Sequence, residues 1–324
     1  MAFRTALTEL FGIRHPVLLA PMGAVSGGAL AAAVSRAGGL GLIGAGYDDA
    51  AWIEREFAAA EGAAVGIGFI TWHLARHPDR LQVALARKPV AVMLSFGDPT
   101  PFVAPIRAAR ARLILQVQTL ADARAAAALG ADVVVAQGAE AGGHGAKRGT
   151  LPLVPAVVDA IAPTPVAAAG GIADGRGLAA ALVLGAAGVL VGTRFYASAE
   201  ALGHPAAKAR LVDDGGDATV RTAVFDLVRG YDWPARFTGR ALQNRLCERW
   251  HGREAELRAR VGEERERYLA AAEVGDVSSA VVWASEAVDL IRDLPPAAAI
   301  VERMVNEASA ALERGLALQS DADR

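Results

Sequence analysis

The amino-acid sequence predicts an α/β protein, a (β/α)8 TIM barrel with a helical insertion after the eighth strand. Eight short apolar runs alternate with helical segments over the first two thirds of the chain, as in a barrel of parallel strands. The runs are apolar at consecutive rather than alternate positions, which is typical of strands buried on both faces. With 324 residues, 53% of them hydrophobic, the chain can fill one large core. The predicted strands are 16–21, 39–44, 64–70, 89–96, 112–118, 132–138, 165–171 and 188–195.

The second predicted strand, "GLGLIG", formally matches the dinucleotide-binding pattern G-x-G-x-x-G at Gly39, Gly41 and Gly44. That pattern requires the glycines to follow a strand, with an acidic residue about twenty residues further on. Here the glycines lie within the strand, and Asp48 and Asp49 follow at once. We interpret the segment as a barrel strand, and the strand count favours a barrel over its rival, a doubly wound open sheet.

The chain divides into three parts on composition. Residues 1–199 hold the eight predicted strands and form the barrel. Residues 200–284 are more polar and read as helices and loops packed outside it, forming an insertion or substrate lobe. Residues 285–324 begin with an amphipathic segment that we expect to return to the barrel as its eighth helix.

Composition narrows the class of function. The net charge is −2 and aromatic residues make up 6% of the chain, so neither a polyanion-binding surface nor a base-stacking platform is expected. A single cysteine, Cys247, leaves no intrachain disulfide or cysteine-cluster metal site and fits a cytoplasmic protein. Apolar runs of about eighteen residues are absent, so no membrane span is expected. The sequence also lacks H-E-x-x-H, C-x-x-C and G-x-S-x-G, and we expect no metal.

Two glycine motifs follow the seventh and eighth strands, at "AAAGGIADGRG" (167–177) and "LVGTRF" (190–195). In this architecture the loops after these two strands commonly form a phosphate site. Glycines such as Gly170, Gly171 and Gly192 let backbone N–H groups approach a phosphate, and the dipole of a following helix adds attraction. The alternative is that they only make tight turns; their joint position favours phosphate binding.

The stretch "AQGAEAGGHGAKRGT" (136–150) places His144 behind Gly142 and Gly143 at the end of the sixth strand. A lone histidine is usually a buried structural residue. The flanking glycines, however, give it no packing partner, and they leave room for a planar ring system against the backbone. Histidine also exchanges a proton near neutral pH. His144 is therefore the candidate catalytic residue, and the role of Glu140 is left open.

Polar side chains end three other strands. Gln116 ends the fifth strand, Gln137 the sixth, and Thr71 follows the third. Buried amides and hydroxyls need partners, and they can bond to the polar edge of a heteroaromatic ligand. A hydrogen bond to a neighbouring loop is the alternative for each.

The first strand ends in "LLAPMG", which contains Pro21, Met22 and Gly23. Proline stiffens the exit of the strand, and glycine lets the backbone approach a flat ligand. Methionine more often fills a core than contacts a cofactor. Taken alone, this motif is interpreted as part of the core.

Taken together, "LLAPMG", "AQGAEAGGHGA", "AAAGGIADGRG" and "VGTRF" resemble the nitronate monooxygenases, formerly called 2-nitropropane dioxygenases, a family of FMN-dependent TIM barrels. The resemblance covers most of the chain, including "FTGRALQNRL" in the insertion and "VVWASEAVDLI" near the end. FMN-dependent enoyl-acyl-carrier-protein reductases and NADH:quinone reductases look similar over the same motifs. The motifs therefore point to the superfamily more closely than to the reaction.

The resemblance implies roles for residues of this sequence. The flavin ring would be lined by Pro21, Met22 and Gly23, with Gly142 packed near it. Its polar edge would be contacted by Thr71, Gln116 and Gln137. The phosphate would be held by Ala169, Gly170, Gly171, Gly192 and Thr193. His144 would be catalytic and would contact substrate together with Ser285. Two positions depart from the family pattern: Gln116 stands where lysine is frequent, and Ser285 where glycine is common.

The implied reaction is FMN-dependent oxidation of nitronates or nitroalkanes by O2 to a carbonyl compound and nitrite. His144 would act as the base that takes the α-proton and as the group that stabilises the nitronate. The alternatives are an FMN-dependent NADH:quinone or enoyl-acyl-carrier-protein reductase, and a flavin-binding protein without turnover. The sequence leaves open the physiological substrate, the use of NAD(P)H and whether the chain forms a homo-oligomer.

Overall fold

Eight parallel strands form a closed barrel in the computed structural model, which describes residues 3–318. Neighbouring strands of the barrel follow one another in the chain, the first strand pairs with the last, and a parallel bridge between Leu18 and Leu40 joins the two ends of the sheet. Each predicted strand region overlaps one of these strands, which confirms the barrel, although the predicted eighth strand ends in a short helix, Thr193–Tyr196. The strands are β1 (Val17–Leu19), β2 (Leu42–Ala45), β3 (Gly66–Ile70), β4 (Ala91–Ser95), β5 (Arg112–Val117), β6 (Val133–Gln137), β8 (Val166–Ala169) and β9 (Gly188–Val191).

The consecutive apolar residues of each strand serve two packing layers. Ile114 of β5 lies in the core cluster that includes Leu18 and Met93, whereas its neighbours Leu113 and Leu115 pack in the larger cluster formed with the helices. Successive side chains of a strand point to opposite faces, so both layers draw on the same short run. This explains why the barrel strands lack polar alternation.

Helices surround the barrel and connect successive strands. The final long helix packs chiefly against the helix Gly175–Val183 and also against the helix Gly28–Arg36, in the position of an eighth barrel helix. Glycines permit close helix packing: a Cβ on Gly28 would lie 1.8 Å from the carbonyl oxygen of Glu56. The helices around the barrel are α1 (Ala6–Phe11), α2 (Gly28–Arg36), α3 (Ala50–Ala59), α4 (Thr71–Leu74), α5 (Asp79–Ala86), α6 (Thr100–Ala108), α7 (Leu120–Ala128), α8 (Thr150–Ile161), α9 (Gly175–Val183), α10 (Thr193–Tyr196) and α16 (Ala297–Ala317).

The segment predicted as a helical insertion is mostly helical but also contains two strands. β10 (Thr219–Thr222) pairs antiparallel with β11 (Thr238–Leu242), and β11 pairs with the three-residue strand β7 (Gly143–Gly145). The prediction that residues 200–284 form only helices and loops is therefore wrong. Polar runs such as "TVRT" give no strong strand signal, because much of this small sheet is only half-buried.

The segment has a hydrophobic cluster of its own, in which Phe225, Trp250 and Tyr268 are buried. The boundaries 1–199, 200–284 and 285–324 remain a proposed division of the chain. None of the helices in the described range is long and apolar enough to cross a membrane. The remaining elements are α11 (Pro205–Asp213), a 3-10 helix (Gly216–Ala218), α12 (Val224–Arg229), α13 (Arg245–Trp250), α14 (Glu254–Ala259), α15 (Val261–Glu273) and a second 3-10 helix (Glu286–Leu290).

Candidate active site

A cavity of about 340 Å³ lies at the carboxyl ends of the barrel strands, between the strand-end loops and residues of the 200–284 segment. Its size falls in the range of small-molecule and cofactor sites, and this end of a barrel is where active sites lie. All but one of the predicted site residues line it. They are Pro21, Met22, Gly23, Gln116, Gln137, Gly142, His144, Ala169, Gly170, Gly171, Gly192, Thr193 and Ser285.

Thr71 is the exception. It begins α4, its residue is 1% exposed, and it is not among the residues that line the cavity. A Cβ on Gly97 would lie 3.0 Å from the Cβ of Thr71, so this side chain packs against the loop after β4. Its expected contact with the flavin edge finds no support in this position; Ile70 and Ser95 line the cavity at this end of the sheet instead.

The loop after β1 forms one wall of the cavity and lies close to glycines of β2 and β3. A Cβ on Gly44 would lie 2.4 Å from the carbonyl oxygen of Met22, and one on Gly68 would lie 2.3 Å from the Pro21 ring. The Met22 N–H donates to the Ser26 hydroxyl at 2.7 Å, which fixes the turn. Met22 packs against the main core cluster, as interpreted from the sequence, and Pro21 and Met22 also line the cavity.

Glycines also build the neighbouring part of the cavity wall, at the ends of β8 and β9, and β9 pairs with β1. Gly170 and Gly171 have φ values of +100° and +71°, which disfavour other residues. A Cβ on Gly170 would lie 2.9 Å from the carbonyl oxygen of Gly138. Within residues 3–318, the N–H groups of Gly171, Ile172 and Thr193 donate to no protein acceptor. Three unpaired N–H donors on the wall of one cavity are suited to an anion. We call this region, residues 170–172 with 192 and 193, the glycine cradle.

The expected contribution of the α9 dipole requires a correction. Asp174 caps α9 and accepts hydrogen bonds from the N–H groups of Arg176 and Gly177, at 2.9 and 3.2 Å. Its carboxylate already satisfies the positive end of this helix. Attraction for an anion therefore comes from the loop N–H groups rather than from α9.

Glu140 has a clear structural role. Its carboxylate accepts from the Thr150 N–H at 2.8 and 2.9 Å and from the Thr150 hydroxyl at 2.8 Å, at the first turn of α8. Its backbone oxygen accepts from the Glu286 N–H at 3.0 Å. Glu140 thus ties the loop after β6 to α8 and to the C-terminal segment.

The strand-end amides form one network. Gln137 Oε1 accepts from Gln116 at 3.1 Å and from Gln118 at 2.9 Å, and Gln137 Nε2 donates to the backbone oxygen of His144 at 3.0 Å. Gln137 is therefore used to hold the histidine loop. Gln118, buried at 3% exposure, was not singled out as a site residue, although it is the last residue of the predicted strand 112–118.

Gly142 and Ser285 meet the glycine cradle at Thr193. The Ser285 N–H donates to the Thr193 hydroxyl at 3.1 Å. A Cβ on Gly142 would lie 2.8 Å from the Ser285 nitrogen, so only glycine fits there. The Ser285 hydroxyl accepts from the Ala287 N–H at 3.0 Å and begins the second 3-10 helix.

His144 lies in β7, which follows the barrel strand β6 in the chain but pairs with β11. Its Nε2 lies 3.0 and 2.9 Å from the two carboxylate oxygens of Asp226 in α12. The two side chains are 8% and 5% exposed. Burial lowers the pKa of His144, while the hydrogen bond and charge of Asp226 oppose this shift and the cations Arg229 and Arg221 add to it. The imidazole is therefore neutral at neutral pH and can accept a proton.

Aromatic rings surround His144. Trp233 stacks on the imidazole with ring centroids 3.4 Å apart and planes 2° from parallel, and Trp283 lies at 5.1 Å. Trp233 Nε1 donates to the Tyr47 hydroxyl at 2.7 Å, and Tyr47 stacks on Tyr231 at 3.7 Å. Neither these rings nor Asp226 was expected in the site from the sequence. The concentration of aromatic residues in "GYDWPARF" (230–237) is the one local signal that could have found part of this wall.

Arg229 is the cation on this wall. Its guanidinium lies 4.7 Å from the ring centroid of Tyr231 and 5.4 Å from that of Tyr47. No ion pair joins it to a carboxylate in the part of the chain that the structure describes. In the same described range, His, Cys, Asp and Glu side chains form no group of three or more that could hold a metal ion.

Comparisons with known proteins assign the chain to a family. A family model described as nitronate monooxygenase matches residues 4–66 and 63–307. The nitronate monooxygenase npaC of Metarhizium robertsii is 39% identical over 337 residues, with 91% of each chain covered.

Two solved structures resemble the whole chain. The FabK protein of Thermotoga maritima has a TM-score of 0.87 and 31% identity, covering 98% of this chain and 100% of its own. A nitroalkane oxidase from Streptomyces ansochromogenes has a TM-score of 0.78 and 29% identity, covering 96% of this chain and 99% of its own. The fold, the family match and these relatives agree: the chain is an oxidoreductase that belongs to the nitronate monooxygenase family.

Proposed function

We propose that this enzyme uses FMN to oxidise small nitronates and nitroalkanes with O2, giving a carbonyl compound and nitrite. The atoms balance when two nitronates and one O2 give two carbonyl compounds and two nitrite ions. The observation that carries the proposal is the placement of a neutral, buried His144 in the same cavity as the glycine cradle. A proton acceptor and an anion site thus share one cavity.

The residues present fit FMN. The unpaired N–H groups of Gly171, Ile172 and Thr193 would hold its phosphate. Pro21 and Met22, which line the cavity, would pack against its planar ring. We also propose that the bound FMN is contacted by other residues that line the same cavity, namely Gln116, Gly142, Ala169, Gly170 and Gly192. When bound, the flavin supplies the redox chemistry.

The protein contributes binding and proton transfer. His144 takes the α-proton of a neutral nitroalkane, and the C–H electron pair remains on the nitronate. The resulting imidazolium then stabilises the nitronate anion. A nitronate supplied as the anion needs no such proton transfer. We further propose a cytoplasmic location, because the one cysteine, Cys247, is free and buried. The proposed reactants are a small nitronate and O2.

A reductase that takes electrons from NADH is the second candidate. Two observations favour it: FMN-dependent reductases resemble the chain over the same glycine and histidine motifs, and the structure of the FabK protein has a TM-score of 0.87 to this chain. Against a flavin-binding protein without turnover stands His144, which lines the cavity and is paired with the buried carboxylate of Asp226.

One experiment separates these candidates. The cofactor released from purified protein should migrate as FMN on chromatography. After anaerobic mixing, ethylnitronate should bleach the flavin absorbance within the turnover time, whereas NADH should bleach it slowly or not at all. Rapid bleaching by NADH with no response to the nitronate would select the reductase, and protein that takes up no FMN would refute both.

A further inference from the structure

The imidazole of His144 is held from two directions by residues of the 200–284 segment. Asp226 binds Nε2 through both carboxylate oxygens, and Trp233 covers one ring face. Across the described residues, the Asp226 carboxylate bonds to His144 and to no other group. Removing a carboxylate from water costs free energy unless the carboxylate is paired. The pairing of Asp226 with this one imidazole therefore needs a functional explanation.

The geometry fixes the location of the imidazole proton. A carboxylate only accepts hydrogen bonds, so Nε2 must carry the hydrogen, and the neutral ring then has its lone pair on Nδ1. No residue within 3–318 bonds to Nδ1. Because the ring lines the cavity, Nδ1 is the nitrogen available to a substrate.

We propose that Asp226 and Trp233 are positioning residues that hold His144 as the Nε2–H tautomer, so that Nδ1 receives the substrate proton. This rests on the proposed function, in which His144 is the base. The Nδ1 lone pair forms the new N–H bond, and the pair from the broken C–H bond stays on the substrate. Asp226 and the π face of Trp233 then stabilise the imidazolium by charge and cation–π attraction.

The other groups around His144 define what a pH profile would report. Arg229 of α12 and Arg221 of β10 disfavour the imidazolium, and Asp226 favours it. Phe96 and Trp283 are the uncharged rings beside it. Loss of the Asp226 charge should therefore lower the pKa of His144 further. The acidic limb of kcat/KM for a neutral nitroalkane should move to lower pH.

The variant Asp226→Asn tests the positioning role with little change in volume. An amide can donate to Nε2 and so permits the wrong tautomer. In the serine-protease triad the same substitution lowers kcat about 10⁴-fold. We expect kcat/KM for a neutral nitroalkane to fall by about 10²–10⁴-fold. Activity on a pre-formed nitronate should change far less, and FMN content should be unchanged. Asp232→Asn, at a side chain that is 91% exposed on the following loop, is the matched control and should behave as wild type.

Two measurements decide the proposal. ¹⁵N NMR of histidine-labelled wild-type holoenzyme should show a protonated Nε2 and an unprotonated Nδ1 for His144, assigned by comparison with His144→Ala. In the His144→Ala background, Asp226→Asn should cost no further activity, because Asp226 acts through His144.

A proton on Nδ1 in the wild type, or an equal loss from Asp226→Asn with and without His144, would overturn the proposal. The wild-type spectrum gives this answer even if Asp226→Asn does not fold. The expected tautomer in an enzyme that leaves nitronates unchanged would refute the proposed function and leave the positioning role standing.

Discussion

The two walls of the cavity are built by different means. The barrel wall is made of backbone, with Gly170 and Gly171 at positive φ and unpaired N–H groups beside them. The opposite wall is made of large side chains from the 200–284 segment, among them Arg229, Tyr231 and Trp233, and Asp226 of the same segment bonds to His144. His144 joins the two, because β7 follows a barrel strand but pairs with β11.

This contrast indicates a division of labour. Glycines leave the backbone N–H groups accessible, so a ligand can approach and bond to them closely, which suits a cofactor that stays bound. A surface of charged and aromatic side chains controls protonation and the charge of the reactant. Substitutions on the barrel wall should therefore change FMN retention, and those on the other wall should change turnover.

The largest expected effect is at the residue between the walls. His144→Ala should keep its flavin but lose about 10²–10⁴-fold in kcat/KM on neutral nitroalkanes, as expected for removal of a general base. The loss should be smaller on pre-formed nitronates, which need no deprotonation. Steady-state rates on both substrates measure this, with His251→Ala in the half-exposed position 251 as the control. If both activities survive within a factor of about three, His144 is not the base.

The next effect tests the barrel wall. Gly171→Asp should weaken FMN binding by about 10–10³-fold, because a second negative charge near the phosphate costs about 1–4 kcal/mol at 4 Å. Titration of the apoprotein with FMN gives the affinity. Gly62→Asp is a matched control, since Gly62 has the same φ of +71° and nothing within 4 Å of an added Cβ. Equal FMN affinity in the two variants would place the phosphate elsewhere.

The smallest effect tests the charge of the other wall. Arg229→Gln should raise KM for an anionic nitronate by about 3–10-fold and affect a neutral nitroalkane less, since a half-buried cation attracts an anion more strongly than an exposed one. Added salt should narrow the difference between variant and wild type. Arg236→Gln, which removes a more exposed arginine that lies over Phe237 outside the cavity, is the control. A uniform change in KM for both substrates would indicate a packing effect of Arg229.

The sequence determined the barrel because its evidence is local. A strand buried on both faces must be apolar at every position, as in Leu113–Leu115 of β5, and that pattern can be read without knowing the neighbours. The strands of the small sheet were missed for the opposite reason. Thr219–Thr222 is half-buried and polar, and only its pairing with β11 makes it a strand.

The same distinction holds within the site. Gly170, Gly171 and Gly192 stood out because a close approach of backbone to a ligand needs glycine at fixed positions after a strand. His144 stood out because two glycines precede it at the end of a predicted strand. Asp226 did not, since it is 82 residues from His144 and nothing in "VFDLVR" distinguishes it from a surface carboxylate. Burial and a hydrogen-bond partner give a carboxylate its role, and both are properties of the folded chain. The sequence by itself therefore determined the barrel and the glycine cradle, and only the tertiary structure decided which side chains hold the histidine.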